Sequence, residues 1–125
     1  MKKENKDISK VKNKIEGNKG EIRAVQFLKK EKYKILQTNY KNRIGEIDII
    51  AEKDNVIVFV EVKNRSTFAF GRPIEAVTLH KQNQIKRVAE IYLMMKNMYN
   101  HDVRFDVIEI CDDFINHMKN NSNCN

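Results

Sequence analysis

GEIDIIAEKDNVIVFVEVKNR, residues 45–65, is the stretch that decides how this chain reads. Gly45–Glu52 alternates apolar and acidic residues, Val56–Lys63 is rich in β-branched residues, and Lys53-Asp54-Asn55 between them is turn chemistry. The two segments are therefore expected to pair as an antiparallel hairpin. With Asp54-Asn55 as a two-residue loop, Lys53 pairs with Val56. Carrying that register along the strands sets Asp48 opposite Glu61 and Glu46 opposite Lys63. Strand side chains alternate between faces, so these four project to one side, with Ile50 and Phe59 as apolar cover nearer the turn. The other face receives Ile47, Ile49, Ala51, Val58, Val60 and Val62, an unbroken apolar surface.

Two carboxylates directly across a ladder lie about 5 Å apart at Cβ, a spacing that like charges resist. A divalent cation relieves that repulsion, and hard cations such as Mg²⁺ favour oxygen ligands. A lysine two residues beyond Glu61 can meet a phosphate oxygen or a bound water. Two acids and a lysine around a metal are the minimum for phosphodiester hydrolysis: a held metal, an activated water and stabilisation of developing charge. An amphipathic hairpin whose Glu46 and Lys63 form a surface ion pair carries the same pattern, and the hairpin by itself does not separate the two readings.

Outward from the hairpin, a helix begins at Glu21, with Ile22, Val25 and Leu28 on one face and Ala24 and Phe27 widening it. Tyr33–Tyr40 reads as a strand. Asn64–Val77 reads as a loop holding the only proline, Pro73, and Thr78 can cap a long helix through about Asn97. On that helix Lys81, Ile85, Val88, Tyr92 and Met95 form one stripe. Val103–Ile110 alternates again as a fourth strand, and a polar tail follows Cys111. The order αβββαβ predicts one α/β domain: a mixed β-sheet with a central antiparallel hairpin, flanked by helices. The expected boundaries are a flexible basic arm over 1–16, the domain over 17–118 and a polar tail over 119–125.

With 125 residues, 41% of them hydrophobic and 33% charged, the chain suits a single soluble globular domain. Its net charge of +7 favours anionic partners, nucleic acid above all, although solubility alone accounts for such a charge equally well. Cys111 and Cys124 have neither zinc-site spacing nor a disulfide framework around them, which points to a reducing compartment. No apolar run follows the charged N-terminus, and none approaches the roughly 20 residues of a membrane span. The expectation is a cytoplasmic protein with no membrane partner.

GEIDIIA (Gly45–Ala51) followed by VFVEVKNR (Val58–Arg65) resembles the YraN family of small bacterial proteins, which is similar to the archaeal Holliday junction resolvases and has the PD-(D/E)xK nuclease fold. Gly17 and Gly20-Glu21 match that family's helix start, and Ala24 and Leu28 its helix face. Phe70-Gly71, Pro73, Glu75-Ala76-Val77 and Lys81 match the segment after the lysine, and Arg104-Phe105-Asp106-Val107 the late strand. The resemblance spans about residues 17–118; at its C-terminal end the family's closing alanine and aromatic are replaced by Asn120-Asn121.

The resemblance implies roles. Asp48 and Glu61 are expected as metal ligands, with the Val62 carbonyl as a third and Glu21 approaching from the first helix, directly or through water. Lys63 is expected to orient or deprotonate the attacking water, or to stabilise charge on phosphorus, with Glu46 as its partner behind the site. From their positions, Lys81 and, one turn on, Gln84 are candidates for a phosphate contact, Lys81 also for a bond to Glu61. Lys41, Arg65 and Arg72 sit on flanking loops as candidate nucleic-acid contacts. His80, His101 and His117 lack ligand spacing and read as ordinary. Tyr40, Phe68 and Phe70 read as packing under the loop, with stacking on an unpaired base as the alternative, and Arg104 and Asp106 as a pair on the sheet face. The function expected is a Mg²⁺-dependent endonuclease, with Mn²⁺ able to substitute, acting on DNA and, by the resemblance, on branched or structured DNA. Symmetric cutting of two strands would call for a homodimer. The rivals are a DNA-binding module that turns nothing over and an interaction domain of a larger complex.

Overall fold

The computed structural model describes residues 19–65, 79–98 and 100–120. Helix α1 runs through residues 19–30 and is followed by strands β1 (Lys34–Lys41), β2 (Glu46–Lys53) and β3 (Val56–Asn64). Helix α2 (Leu79–Met95) then leads to β4 (Asp102–Cys111) and β5 (Phe114–Asn120). The strands form one sheet in the order β1-β2-β3-β4-β5, antiparallel except where β3 pairs parallel with β4. A parallel pair needs a crossover, and α2 lies within it. The expected α/β domain with a central hairpin is what the chain forms. The arm over 1–16, the segment 66–78 with Thr78, Pro73, Phe68 and Phe70, and the last residues lie outside the described residues.

Each face of the sheet is covered by one helix. Ala24 and Leu28 of α1 pack on Ile49, Ala51, Val58, Val60, Ile108 and Ile110. Val88, Ala89 and Tyr92 of α2 pack on Ile50, Ile57 and Phe59, so the apolar cover expected near the turn is core beneath α2. Met95, expected to continue the α2 stripe, is instead 75% exposed. The helix ends there: Asn97 takes φ 54° and Met98 N–H reaches back to the Leu93 carbonyl, so no turn follows to cover it.

The hairpin turn has the chemistry read for it. Asp54 and Asn55 take φ of 52° and 65°, the left-handed pair that a two-residue hairpin turn requires. Lys53 pairs with Val56, and the register holds through Ile49 and Val60. Lys53 Nζ also donates to the Glu31 carbonyl at 2.7 Å, tying the hairpin to the C-terminal end of α1.

Two expectations are corrected. The polar tail after Cys111, for which no strand was expected, contains one: Asp112-Asp113 turns the chain and Phe114–Asn120 pairs with β4 along its length. The strand forms because the outer edge of β4 presents backbone groups that need partners; Ile115 and Met118 contribute too little alternation to announce it. Ile47 does not share a face with Ile49 and Ala51. It packs with Ile50, Ile57 and Phe59 under α2. The change of face falls between Ile49 and Ile47, whose β1 partners Thr38 and Tyr40 flank Asn39 at φ 51°, while the β1–β2 register stays in step there and shifts only between Ile35 and Gln37. A left-handed residue inside a strand interrupts the pleat, so strict alternation fails beyond it.

Candidate active site

The candidate residues gather where β2 and β3 stop pairing. The ladder's last pair is Ile49–Val60, one step short of Asp48 and Glu61. Beyond it the Val62 N–H donates to Asp48 Oδ2 at 2.8 Å, a side-chain acceptor in place of a strand carbonyl. The strands thus separate at the point where two carboxylates would otherwise face each other.

Burial, more than any neighbour, pushes the Asp48 carboxyl up to about 6; the Val62 bond opposes it, and Glu21, Glu61 and Glu46 add to it. Glu21 is also raised, by burial first, with a hydrogen bond from Asn39 opposing and Glu46 contributing. Four acids from α1, β2 and β3 therefore share one field. Glu61 is the most constrained of them. Its Oε1 lies 3.5 Å from Lys63 Nζ and 3.7 Å from Lys81 Nζ, so Lys63 is on its side of β3 and the first turn of α2 reaches the same oxygen. Its Oε2 is buried with no hydrogen-bond partner among the described residues. A buried carboxylate oxygen without a partner is costly and asks for a cation or a water.

Other candidates are placed differently. Gln84 Nε2 donates to the Ile44 carbonyl at 2.8 Å and so holds the β1–β2 turn. Arg65 Nε bonds Glu109 Oε2 at 2.8 Å, which commits one edge of its guanidinium to the sheet. Lys41 and Glu46 are exposed at the strand ends, and Arg72 lies outside the described residues.

Asn39 was not singled out from sequence, yet it bonds Glu21 and carries the left-handed kink beside Asp48. An asparagine near the end of a strand was the available signal, since Asn tolerates that conformation. His117 is not ordinary either. Its Nε2 lies 2.7 Å from Asp106 Oδ2, and Arg104 bonds both oxygens of Asp106 at 2.8 Å and the Tyr33 hydroxyl at 2.8 Å. This buried network packs against Phe27 and Tyr33 under α1 and is structural.

Among the described residues no group of three or more His, Cys, Asp or Glu side chains is placed to hold a metal ion by itself. The carboxylate oxygens of Asp48 and Glu61 are donors of the kind that hard cations take, and Mg²⁺ uses only one or two protein carboxylates while keeping several waters.

The clustered acids have a consequence for the metal-free protein. The folded Asp48 carboxyl titrates near 6, above its ordinary 3.8, so its contribution to stability is complete below about 3.8 and is lost as pH rises through 6. Asp48→Asn removes the charge while its amide oxygen can still accept from Val62. Without metal, the variant should unfold at a higher temperature than wild type at pH 7.5, by at most about 3 kcal/mol and less where solvent reaches the carboxyl. The difference should shrink towards pH 4, and Mg²⁺ should narrow it at neutral pH by stabilising wild type alone. Equal melting temperatures at pH 7.5 would mean that the carboxyl is not strained.

Compared with known proteins, residues 20–110 match the profile described as "Uncharacterised protein family UPF0102". A UPF0102 protein of Caldicellulosiruptor saccharolyticus is 52% identical over 94 residues, covering 75% of this chain and 80% of its own. One from Caldanaerobacter subterraneus is 48% identical over 103 residues, covering 82% and 84%. One from Clostridium perfringens is 49% identical over 110 residues, covering 88% and 84%.

Proposed function

This chain belongs to the uncharacterised protein family UPF0102, the YraN family that its sequence resembles, and from its site geometry we propose that it is a metal-dependent endonuclease hydrolysing DNA phosphodiesters. The observation that carries the reading is Glu61 Oε2, buried and unpartnered among the described residues beside an Asp48 whose ionisation burial opposes. Four acids gathered where phosphates approach weaken a binding surface unless cations offset them.

Asp48, Glu61 and the Val62 carbonyl would hold Mg²⁺ or Mn²⁺, with Glu21 joining directly or through water. The ion supplies Lewis-acid polarisation of the phosphate and a more acidic water. Lys63 donates hydrogen bonds to the attacking water or to a phosphoryl oxygen, and its position beside Glu61 keeps it at the reacting end of β3. Lys81 reaches the same carboxylate from α2 and can do likewise for phosphate. The net charge of +7 supports a polyanionic substrate. Branched or structured DNA is the substrate class that the resemblance favours, and symmetric cutting would need a two-fold dimer. The Lys63 and Lys81 ion pairs favour one alternative: they already neutralise much of Glu61, as a binding module without turnover would require.

A panel of linear, flapped and four-way DNAs, incubated with Mg²⁺ and separately with Mn²⁺, separates these readings. Wild type should cut at least one member, and Lys63→Ala should lower the rate by about 10²–10³-fold, the usual loss for one transition-state donor. Binding without cleavage under either metal would give the case to the module.

A further inference from the structure

The strand ends that carry the acids also carry cations, but most are already engaged. Lys63 and Lys81 lie against Glu61 and Arg65 against Glu109. Arg43, at the tip of the turn joining β1 to β2, is exposed and has no hydrogen-bond or ionic partner among the described residues.

The turn that carries it is fixed from several directions. Asn42 Oδ1 accepts from the N–H groups of Ile44 at 2.9 Å and Gly45 at 3.3 Å, while Asn42 N–H donates to the Gly45 carbonyl at 3.0 Å. Gln84 clips the Ile44 carbonyl to α2 at 2.8 Å, and the Ile44 side chain packs into the core beneath that helix. Gly45 fits because a Cβ there would come within 3.2 Å of Val88 Cγ2. The backbone of the turn is thus held to the sheet and to α2, and its Arg43 side chain faces solvent. Asp48 lies five positions after Arg43, a span of no more than about 18 Å even fully extended.

We propose that the β1–β2 turn is a preformed seat for the phosphate backbone, with Arg43 holding a phosphate on the same strand as the hydrolysed one. The inference rests on the site receiving a phosphodiester. A guanidinium suits this role because its planar fork meets phosphate oxygens two at a time. A mount already ordered before binding lowers the entropic cost of the contact. Lys41 lies at the end of β1 rather than at the tip of the turn and contributes charge.

The test is fluorescence anisotropy of labelled duplex, flapped and four-way DNAs with the Asp48→Asn protein in Mg²⁺, across a salt series. Added Arg43→Ala should weaken binding roughly tenfold, as expected for a hydrogen bond to a charged group. It should also reduce the slope of log K against log salt by about 0.9 on duplex. Arg43→Lys should keep the slope but lose affinity severalfold. Gln84→Ala should weaken binding with the slope unchanged, because the charge remains while its mount loosens. Lys30→Ala, an exposed cation at the far end of α1, is the charge-matched control and should stay within twofold. An Arg43→Ala protein that matches the Lys30→Ala control in affinity and slope overturns the seat while leaving the endonuclease reading intact. If the parent protein binds none of the DNAs, and wild type cuts none, both fail together.

Discussion

Asp48→Asn should abolish metal-dependent cleavage and leave DNA binding in place. The substitution keeps the shape of the side chain, and the amide oxygen can still accept from the Val62 N–H that Asp48 Oδ2 now holds at 2.8 Å. What would be lost, on the proposed reading, is the anionic ligand from β2, leaving Glu61, the Val62 carbonyl and Glu21 to hold the ion. Turnover should therefore fall below detection, with Mn²⁺ rescuing little. Backbone affinity should be unchanged or higher, since one negative charge leaves the neighbourhood of the phosphate. Calorimetry gives an independent reading: wild type should show saturable Mg²⁺ heat, and Asp48→Asn should not. A variant that still cleaves at a comparable rate would remove Asp48 from the chemistry.

Asp106→Ala should be the most destabilising single substitution considered for this fold, by about 3–5 kcal/mol, the usual cost of breaking a buried ion pair from one side. The Asp106 side chain is fully buried, and the change leaves Arg104 and His117 facing each other without the anion between them. Burial alone would raise the Asp106 carboxyl, but hydrogen bonds from His117 and Arg104 outweigh it and hold it below the usual value. A depressed carboxyl contributes stability above its unfolded pKa and loses it as pH falls through the folded one. The urea midpoint gap between wild type and Asp106→Ala should therefore be full at pH 7 and narrow in acid. A difference under about 1 kcal/mol at pH 7 would mean that solvent already reaches the network.

The hairpin was legible from residues 45–65 because its information is local. A two-residue turn fixes the register, and a period of two assigns the faces as far as Ile49 and Val60. Past that point the same rule put Ile47 on the wrong face, because the kink at Asn39 lies on a neighbouring strand that the hairpin's own sequence does not contain. Strand β5 was missed for a related reason: its sequence, FINHMKN, has little pattern of its own and forms by pairing with β4.

Sequence alone determined the family, the α/β class, the acids and the lysine, since each follows from residue type and short-range spacing. Only the tertiary structure decided which of these side chains meet. Glu21 enters the field of Asp48 because α1 covers one face of the sheet, and Lys81 reaches Glu61 because α2 covers the other. His117 closes on Asp106 because β5 lies against β4. These partners are 27, 20 and 11 residues apart along the chain. No local propensity encodes such distances; they are set by which apolar faces must be buried together.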